Sequence, residues 1–146
     1  MEATLQKFGY PGTLIKEYQH WMLLLRPQQV TLGSLILIEK SGQTRFSDLS
    51  DKSFEEYPKV IRVLEKTLLS LFQYDRINYL MLMMVDPEVH FHVIPRYQES
   101  REFAGIEFKD SGWPKLPELS AYQVLDDDVQ RLLTDKIHEA LSEHAF

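Results

Sequence analysis

Residues 86–97 read DPEVHFHVIPRY, a stretch that combines the pattern of a buried strand with two histidines one residue apart. Successive side chains of a strand point to opposite faces, so we predict a strand over residues 89–96. Its apolar face, turned to the core, holds Val89, Phe91 and Val93. Its polar face holds Glu88, His90 and His92. Side chains two apart on one face are roughly 6–7 Å apart, so both imidazoles can touch one phosphate-sized group.

The polar face leaves three functional interpretations open. Alternating histidines beside a carboxylate can hold zinc or iron. A neutral imidazole can instead attack phosphorus when its second nitrogen is held as a donor, and an unperturbed histidine is largely neutral at pH 7. In the third interpretation the histidines bind phosphate without turnover. Two histidines at this spacing are a weak motif alone, because histidines on a solvated sheet face often have no function.

The composition is that of an ordinary globular chain, and it limits the partners. The chain has 146 residues, 44% apolar and 26% charged, which predicts a single domain over residues 1–146. The formal charge is -6 and no basic run is present, so we expect no extended nucleic-acid binding. Cysteine is absent, which excludes disulfides and thiolate metal sites. Neither a membrane-spanning run nor a signal-peptide pattern is evident, so we expect no membrane partner and a cytoplasmic location.

Hydrophobic patterning predicts the element order β-β-α-β-β-α. The predicted strands are Trp21–Leu25, Ser34–Glu39, Ile77–Val85 and Val89–Arg96. Helical spacing predicts a long helix at about Ser50–Phe72, and Asp126–Asp128 is expected to cap a last helix. Residues 98–120 are predicted to form a long loop. This order indicates the α+β class, with helices packed on an antiparallel sheet.

The strand with the two histidines resembles the signature of the histidine triad (HIT) superfamily. In that signature three histidines alternate with apolar residues before an apolar pair and often Pro-Arg, and EVHFHVIPRY carries the likeness here. Other segments extend it over roughly residues 20–115: LGSLILIEK, FSDLS with the following helix, DRINYLMLMMVDPEVHFH, and KDSGWP, which resembles an element of some bacterial members. The resemblance implies a sheet of about five antiparallel strands with a central helix and a C-terminal helix.

The resemblance also assigns roles along the triad, and one position departs from it. His90 falls on the middle position, which holds the family's nucleophile, and His92 falls on the third. The first position holds Glu88, and some bacterial branches likewise lack this histidine. In the family a backbone carbonyl of this strand generally holds the inner nitrogen of the middle histidine, so we expect His90 to remain competent. Glu88 should repel a phosphate unless it is protonated or paired with Arg96 or His92.

Four residues are expected to bind substrate: Glu88, Asn78, Arg96 and Trp21. Asn78 matches a polar residue that the family carries on the strand before the triad, with a strand-end residue bonded to its own backbone as the alternative. Trp21 could line a base pocket, although tryptophan on an early strand is more often part of the core. The family's usual Gln or Ser shortly before the triad is replaced here by the Met84-Val85 region.

Taken together, the resemblance implies an enzyme, a nucleotide hydrolase or transferase that acts at the α-phosphate of a nucleotide conjugate through a nucleotidyl-histidine on His90. It implies a small-molecule nucleotide substrate, no cofactor or metal, and a homodimer formed through the helix and the sheet edge. One rival is a nucleotide-binding module with little or no turnover, which Glu88 and the region of Met84 favour. A second rival is a metal-dependent enzyme using Glu88, His90 and His92, although no fourth ligand is evident.

Overall fold

A five-stranded antiparallel sheet with helices packed on it organises residues 1–144, the part of the chain that the computed structural model describes. The helices are α1 (Glu2–Lys7), α2 (Asp51–Phe72) and α3 (Asp127–Ser142), with one 3₁₀ turn at Phe46–Asp48. The strands are β1 (Leu14–Glu17), β2 (Trp21–Leu25), β3 (Gln28–Gln29), β4 (Leu35–Glu39), β5 (Arg76–Leu80), β6 (His90–Arg96), β7 (Arg101–Phe103), β8 (Ile106–Phe108) and β9 (Gln123–Val124). The α+β prediction, with its central and C-terminal helices, is confirmed.

The histidine strand β6 lies inside the sheet, whose order is β1-β2-β4-β6-β5. On one side β4 places Ile36 opposite His92 and Ile38 opposite His90. On the other side β5 places Leu80 opposite His92. Because strands pair with β6 along both edges, its backbone is fixed and its side chains have defined directions. Two further two-stranded sheets join β3 to β9 and β7 to β8.

The apolar face of β6 belongs to the main core, as the alternation predicts. This core includes the three predicted side chains of β6 and residues of β2, α2 and α3: Val89, Phe91, Val93, Trp21, Leu23, Leu64, Leu68 and Ile137. Helix α2 begins where the Ser50 hydroxyl accepts the Ser53 N–H at 3.1 Å. Helix α3 begins where Asp126 accepts the Val129 N–H at 2.9 Å, so the predicted acidic cap is confirmed.

The opposite face of the sheet is also covered. A smaller apolar cluster forms there from Phe8, Leu24, Ile36 and Ile38. Met1 and Leu5 pack against it from the side of α1. The sequence patterning predicts no element before Trp21, so this cover is a finding of the structure. It lies over the same face that carries His90 and His92.

The predicted strand Ile77–Val85 is too long, because β5 ends at Leu80. The apolar run continues past that point, but Met84 and Val85 are 80% and 85% exposed. Leu80, the last residue of β5, pairs with His92, and the chain leaves the sheet there although β6 extends two residues further, to His90. The exposed side chains of Met84 and Val85 gain no packing that would hold this segment in the sheet.

The predicted loop at residues 98–120 contains the short hairpin of β7 and β8. The hairpin turns at Ala104 and Gly105, which have φ angles of 53° and 77°. Two successive residues with positive φ match a tight hairpin turn, which Gly105 adopts easily and Ala104 does not. Within residues 1–144, every helix is too short or too polar to cross a membrane.

Candidate active site

His90 is held by the backbone of its own strand, as the resemblance implies. Its Nδ1 lies 2.6 Å from the carbonyl oxygen of Glu88. A carbonyl only accepts hydrogen bonds, so in the neutral ring Nδ1 carries the hydrogen and Nε2 keeps a free lone pair. The side chain is 0% exposed, and Nε2 has no hydrogen-bond partner among residues 1–144. His90 therefore has the tautomer of a nucleophile but lies beneath other side chains.

His92 lies beside His90 and closer to solvent. The two ring centroids are 5.1 Å apart, with an angle of 76° between the planes. Arg26 Nε approaches His92 Nδ1 at 3.4 Å. Burial of the ring, together with the charge of Arg26 and the neighbouring ring of His90, lowers the pKa of His92 to about 4. His92 is consequently a neutral ring at physiological pH.

Phe8 covers both histidines. Its ring centroid lies 5.9 Å from that of His90 and 6.2 Å from that of His92. Phe8 follows directly after α1 and belongs to the smaller apolar cluster. The sequence pattern does not predict this position, since a helix of six residues has little intrinsic stability and forms only through its packing. In the described conformation Phe8 closes the site above His90.

Glu88 has partners other than those the sequence predicts. Its Oε1 lies 2.9 Å from the amino nitrogen of Met1, and its Oε2 accepts the hydroxyl hydrogen of Thr4 at 2.8 Å. Burial raises the pKa of this carboxyl, but the bonds from the Met1 amine and Thr4 hold it below its usual value. Neither Arg96 nor His92 pairs with it among its described contacts. Glu88 thus attaches α1 to the histidine strand.

A second contact supports the same attachment. Lys7, at the end of α1, pairs with Asp86 at 2.8 Å. Asp86 lies two residues before Glu88, in the irregular segment that leads into β6. Both acidic residues that precede the histidines are therefore occupied by α1.

A cavity of about 520 Å³ opens next to His92. Lys7 and Arg26 line it as cations, and Asp86 is the acidic residue in its wall. Phe8 lines it as well and separates it from His90. Apolar side chains form the outer rim: Leu82, Met84, Val85 and Val124. A cavity with cations at one end and apolar side chains at the other fits an anionic group joined to a flat apolar ring.

Asn78 and Arg96 lie together at a separate cavity of about 820 Å³, next to Trp113. Arg96 Nη1 donates to Asn78 Oδ1 at 2.7 Å, and Arg96 Nε donates to Asp110 at 2.7 Å. Asp110 also accepts the backbone N–H of Tyr97 at 3.1 Å. These bonds fasten the segment around Asp110 to the end of β6. They leave Asn78 and Arg96 outside the cavity beside His92.

Trp21 lies in the main core on the far face of the sheet. It is 0% exposed, its ring packs 6.2 Å from that of Phe91, and its Nε1 donates to the Ser53 carbonyl at 2.8 Å. These contacts occupy both the ring and the N–H of the indole. Trp21 therefore lies in the core, which was the alternative to lining a base pocket.

Three residues of the site were not predicted from the sequence: Lys7, Phe8 and Arg26. Arg26 carried a weak signal, since Arg26-Pro27 directly follows a predicted strand, where binding residues often lie. Among residues 1–144, no three His, Cys, Asp or Glu side chains are grouped so that they could hold a metal ion.

Comparison with known proteins identifies the fold. No family model matches the chain, and no curated protein matches it. Solved structures of histidine triad proteins do match. A histidine triad (HIT) protein from Sinorhizobium meliloti superimposes with a TM-score of 0.69 at 16% identity, over 95% of this chain and 94% of that one. A hypothetical histidine triad nucleotide-binding protein from Sulfolobus tokodaii gives 0.67 at 17% identity, over 90% and 84% of the two chains. A histidine triad protein from Marinobacter aquaeolei gives 0.66 at 22% identity, over 90% of each.

The chain therefore has the histidine triad fold. The resemblance to histidine triad proteins that the histidine strand predicts is confirmed for the fold.

Proposed function

We propose that this protein is a histidine triad hydrolase or transferase that acts at the α-phosphate of a nucleotide conjugate, with His90 as the nucleophile. The observation that carries the proposal is the 2.6 Å contact between His90 Nδ1 and the Glu88 carbonyl. This bond directs the lone pair of Nε2 away from the backbone, and it does not depend on the side chain at position 88. Exchange of the first triad histidine for glutamate therefore leaves the nucleophile oriented.

The reaction has two displacements. His90 Nε2 forms a bond to the α-phosphorus while the bond from phosphorus to the leaving oxygen or nitrogen breaks. The leaving group departs with the electron pair and takes up a proton from water. A water molecule, or an acceptor alcohol in a transferase, then attacks phosphorus and the phosphorus–nitrogen bond breaks. His90 is restored, and the nucleoside monophosphate or its ester is released.

The cavity beside His92 supports a nucleotide as the substrate. Its volume of about 520 Å³ lies within the range of small-molecule sites. Arg26 supplies positive charge for phosphate oxygens, and the apolar rim offers a surface for a base. His92, which lines this cavity next to His90, is suited to donate a hydrogen bond to a phosphoryl oxygen.

Catalysis requires α1 to move, because Phe8 covers His90. We propose that α1 and Phe8 swing away when substrate enters. The element suited to such a motion has six residues and is attached through ionic and hydrogen-bonded contacts to Glu88 and Asp86 and through the packing of Leu5 against the smaller apolar cluster. The same cover favours the second candidate function, a nucleotide-binding module with little turnover. In that case the nucleotide occupies the cavity and His90 stays buried.

Intact-protein mass spectrometry separates the two functions. The protein is mixed with an adenosine phosphoramidate and, separately, with a dinucleoside polyphosphate, and the reaction is stopped with acid-free denaturant. The enzyme is expected to gain the mass of one adenylyl group, which tryptic mapping assigns to His90. His90→Ala should lose the adduct and the product, while His20→Ala is a control for a histidine outside the site. Nucleotide binding by calorimetry without adduct or product would establish the module instead.

We also propose that the protein forms a homodimer through the edge of its sheet. Strand β5 ends the sheet order and has a neighbour on one side only, among the strands of residues 1–144. Helix α2 lies alongside it, since the Tyr79 hydroxyl donates to Glu65. An unpaired edge beside an exposed apolar helix surface is suited to pairing with a second copy.

A further inference from the structure

We propose that Arg26 is a positioning residue that fixes the tautomer of His92, so that His92 presents a hydrogen-bond donor where His90 presents a lone pair. The inference deepens the proposed function and rests on it for its catalytic meaning. It assigns a role to a residue 66 positions away from His92 along the chain, which the triad pattern does not include.

The assignment follows from the chemistry of the two groups. A guanidinium has donors and no acceptor, so the nitrogen that Arg26 Nε approaches at 3.4 Å must accept. His92 Nδ1 therefore carries the lone pair, and in the neutral ring the hydrogen lies on Nε2. Burial lowers the pKa of Arg26 below its usual value, but a guanidinium keeps its charge in proteins.

The neighbouring histidine has the reverse arrangement. The Glu88 carbonyl holds the hydrogen of His90 on Nδ1 and leaves the lone pair on Nε2. Two adjacent rings on one face thus differ in which nitrogen is protonated, and the difference comes from what each Nδ1 meets. His90 is prepared to attack phosphorus, and His92 is prepared to donate to the oxygens that gain charge in that attack.

The surroundings of His92 keep this state. Burial of the ring acts first on its pKa, followed by the influence of Arg26, the neighbouring His90, Asp86 and Lys7. Arg26, His90 and Lys7 oppose protonation, whereas Asp86 favours it but is paired with Lys7 at 2.8 Å. The ring accordingly stays neutral, and its single hydrogen is placed by Arg26.

Arg26 also has a structural contact that a test must separate from this role. Its Nη1 donates to the Gln28 carbonyl at 2.7 Å, which supports the turn after β2. Loss of stability in a variant would therefore say nothing about His92. The tautomer itself has to be measured.

Nitrogen-15 NMR of histidine-labelled protein gives that measurement. Neutral histidine shows one pyrrole-type and one pyridine-type nitrogen resonance, and His92→Gln assigns the signals of His92. The wild type is expected to show His92 Nδ1 as the pyridine type down to about pH 5. In Arg26→Met we expect both tautomers to appear and the pKa of His92 to rise by about 1 unit or more. Arg131→Met, which removes an exposed arginine of α3, should leave the His92 signals unchanged.

Each result decides the inference. A His92 ring with its hydrogen on Nδ1 in the wild type would overturn it, even if Arg26→Met does not fold. An unchanged tautomer and pKa in Arg26→Met would overturn it as well. If the signals behave as expected but no nucleotide is transferred to His90, the proposed function fails and the positioning by Arg26 stands. In an active enzyme, Arg26→Met should lower kcat by up to about 100-fold at alkaline pH and by less at acidic pH, where protonation restores the Nε2 hydrogen.

Discussion

At the scale of a single residue, the fold strongly changes the protonation of His92. The ring lies between Phe8 and the neighbouring strands, next to the charge of Arg26, and its pKa is lowered to about 4. A histidine that is neutral when folded must gain a proton when it unfolds at pH values between its two pKa values. This makes His92 a group through which acid opposes folding.

We expect this effect in the pH dependence of stability. The folded pKa lies below the ordinary value of 6.5, so the unfolded chain binds more protons between about pH 4 and pH 6.5, and the free energy of unfolding falls as the pH is lowered through that window. His92→Gln should fall less over the same window. Urea denaturation at half-unit pH steps measures both slopes. Equal slopes for the two proteins would show that the ring is protonated in the folded state.

At the scale of elements, the feature that matters is the attachment of α1 to the start of β6. Thr4, Lys7 and the Met1 amine hold Glu88 and Asp86, and Phe8 then closes over the histidines. A carboxylate at the first triad position thus has a structural use that a histidine would not have. It binds the cover of the site, which a substrate must displace under the proposed function.

Removal of the Phe8 ring should uncover His90. We expect Phe8→Ala to raise the rate at which diethyl pyrocarbonate modifies His90 by tenfold or more, because Nε2 is fully buried in the wild type. The control is Phe72→Ala, which removes a buried ring of the main core and should cost a similar amount of stability, about 3–5 kcal/mol, without exposing His90. Peptide mapping by mass spectrometry identifies the modified histidine. Equal rates in Phe8→Ala and the wild type would mean that another group shields the ring.

Which elements could be predicted from the sequence depended on the distance over which their contacts act. The strand of His90 follows from local alternation, whereas the bond of His90 Nδ1 to the Glu88 carbonyl is implied by the resemblance to the histidine triad signature; both are present. The cap of α3 is likewise local. The partner of Glu88 is 84 residues away and the partner of His92 is 66 residues away, so neither could be read from a pattern. The apolar run after Leu80 was predicted to continue the strand, because an apolar pattern alone does not show where the pairing of β5 with β6 stops.

At the scale of the whole molecule, β5 forms an edge of the sheet, and the proposed homodimer would form there. Leu69 lies on the same helix as Glu65, which contacts β5, and it is 49% exposed. Burial of this side chain and of the unpaired edge in a homodimer would remove both from water.

We expect Leu69→Lys to convert the dimer to a monomer, because a lysine at a buried apolar contact loses its hydration without gaining a partner. Leu132→Lys, on α3 and 55% exposed, is the matched control and should remain dimeric. Light scattering coupled to size-exclusion chromatography measures both masses. A monomeric wild type would contradict the proposed assembly, and a dimeric Leu69→Lys would place its interface elsewhere.

Every residue of β6 from His90 to Arg96 is buried, so this strand has no side chain in free contact with water. Substitutions in β6 are therefore constrained on both faces of the sheet, by the main core on one face and by α1 with Phe8 on the other. The outer rim of the cavity is different, because Met84, Val85 and Val124 are largely exposed and support nothing beneath them. Under the proposed function, substitutions that adapt the site to a new leaving group or base would be tolerated on this rim. The strand β6 would stay unchanged.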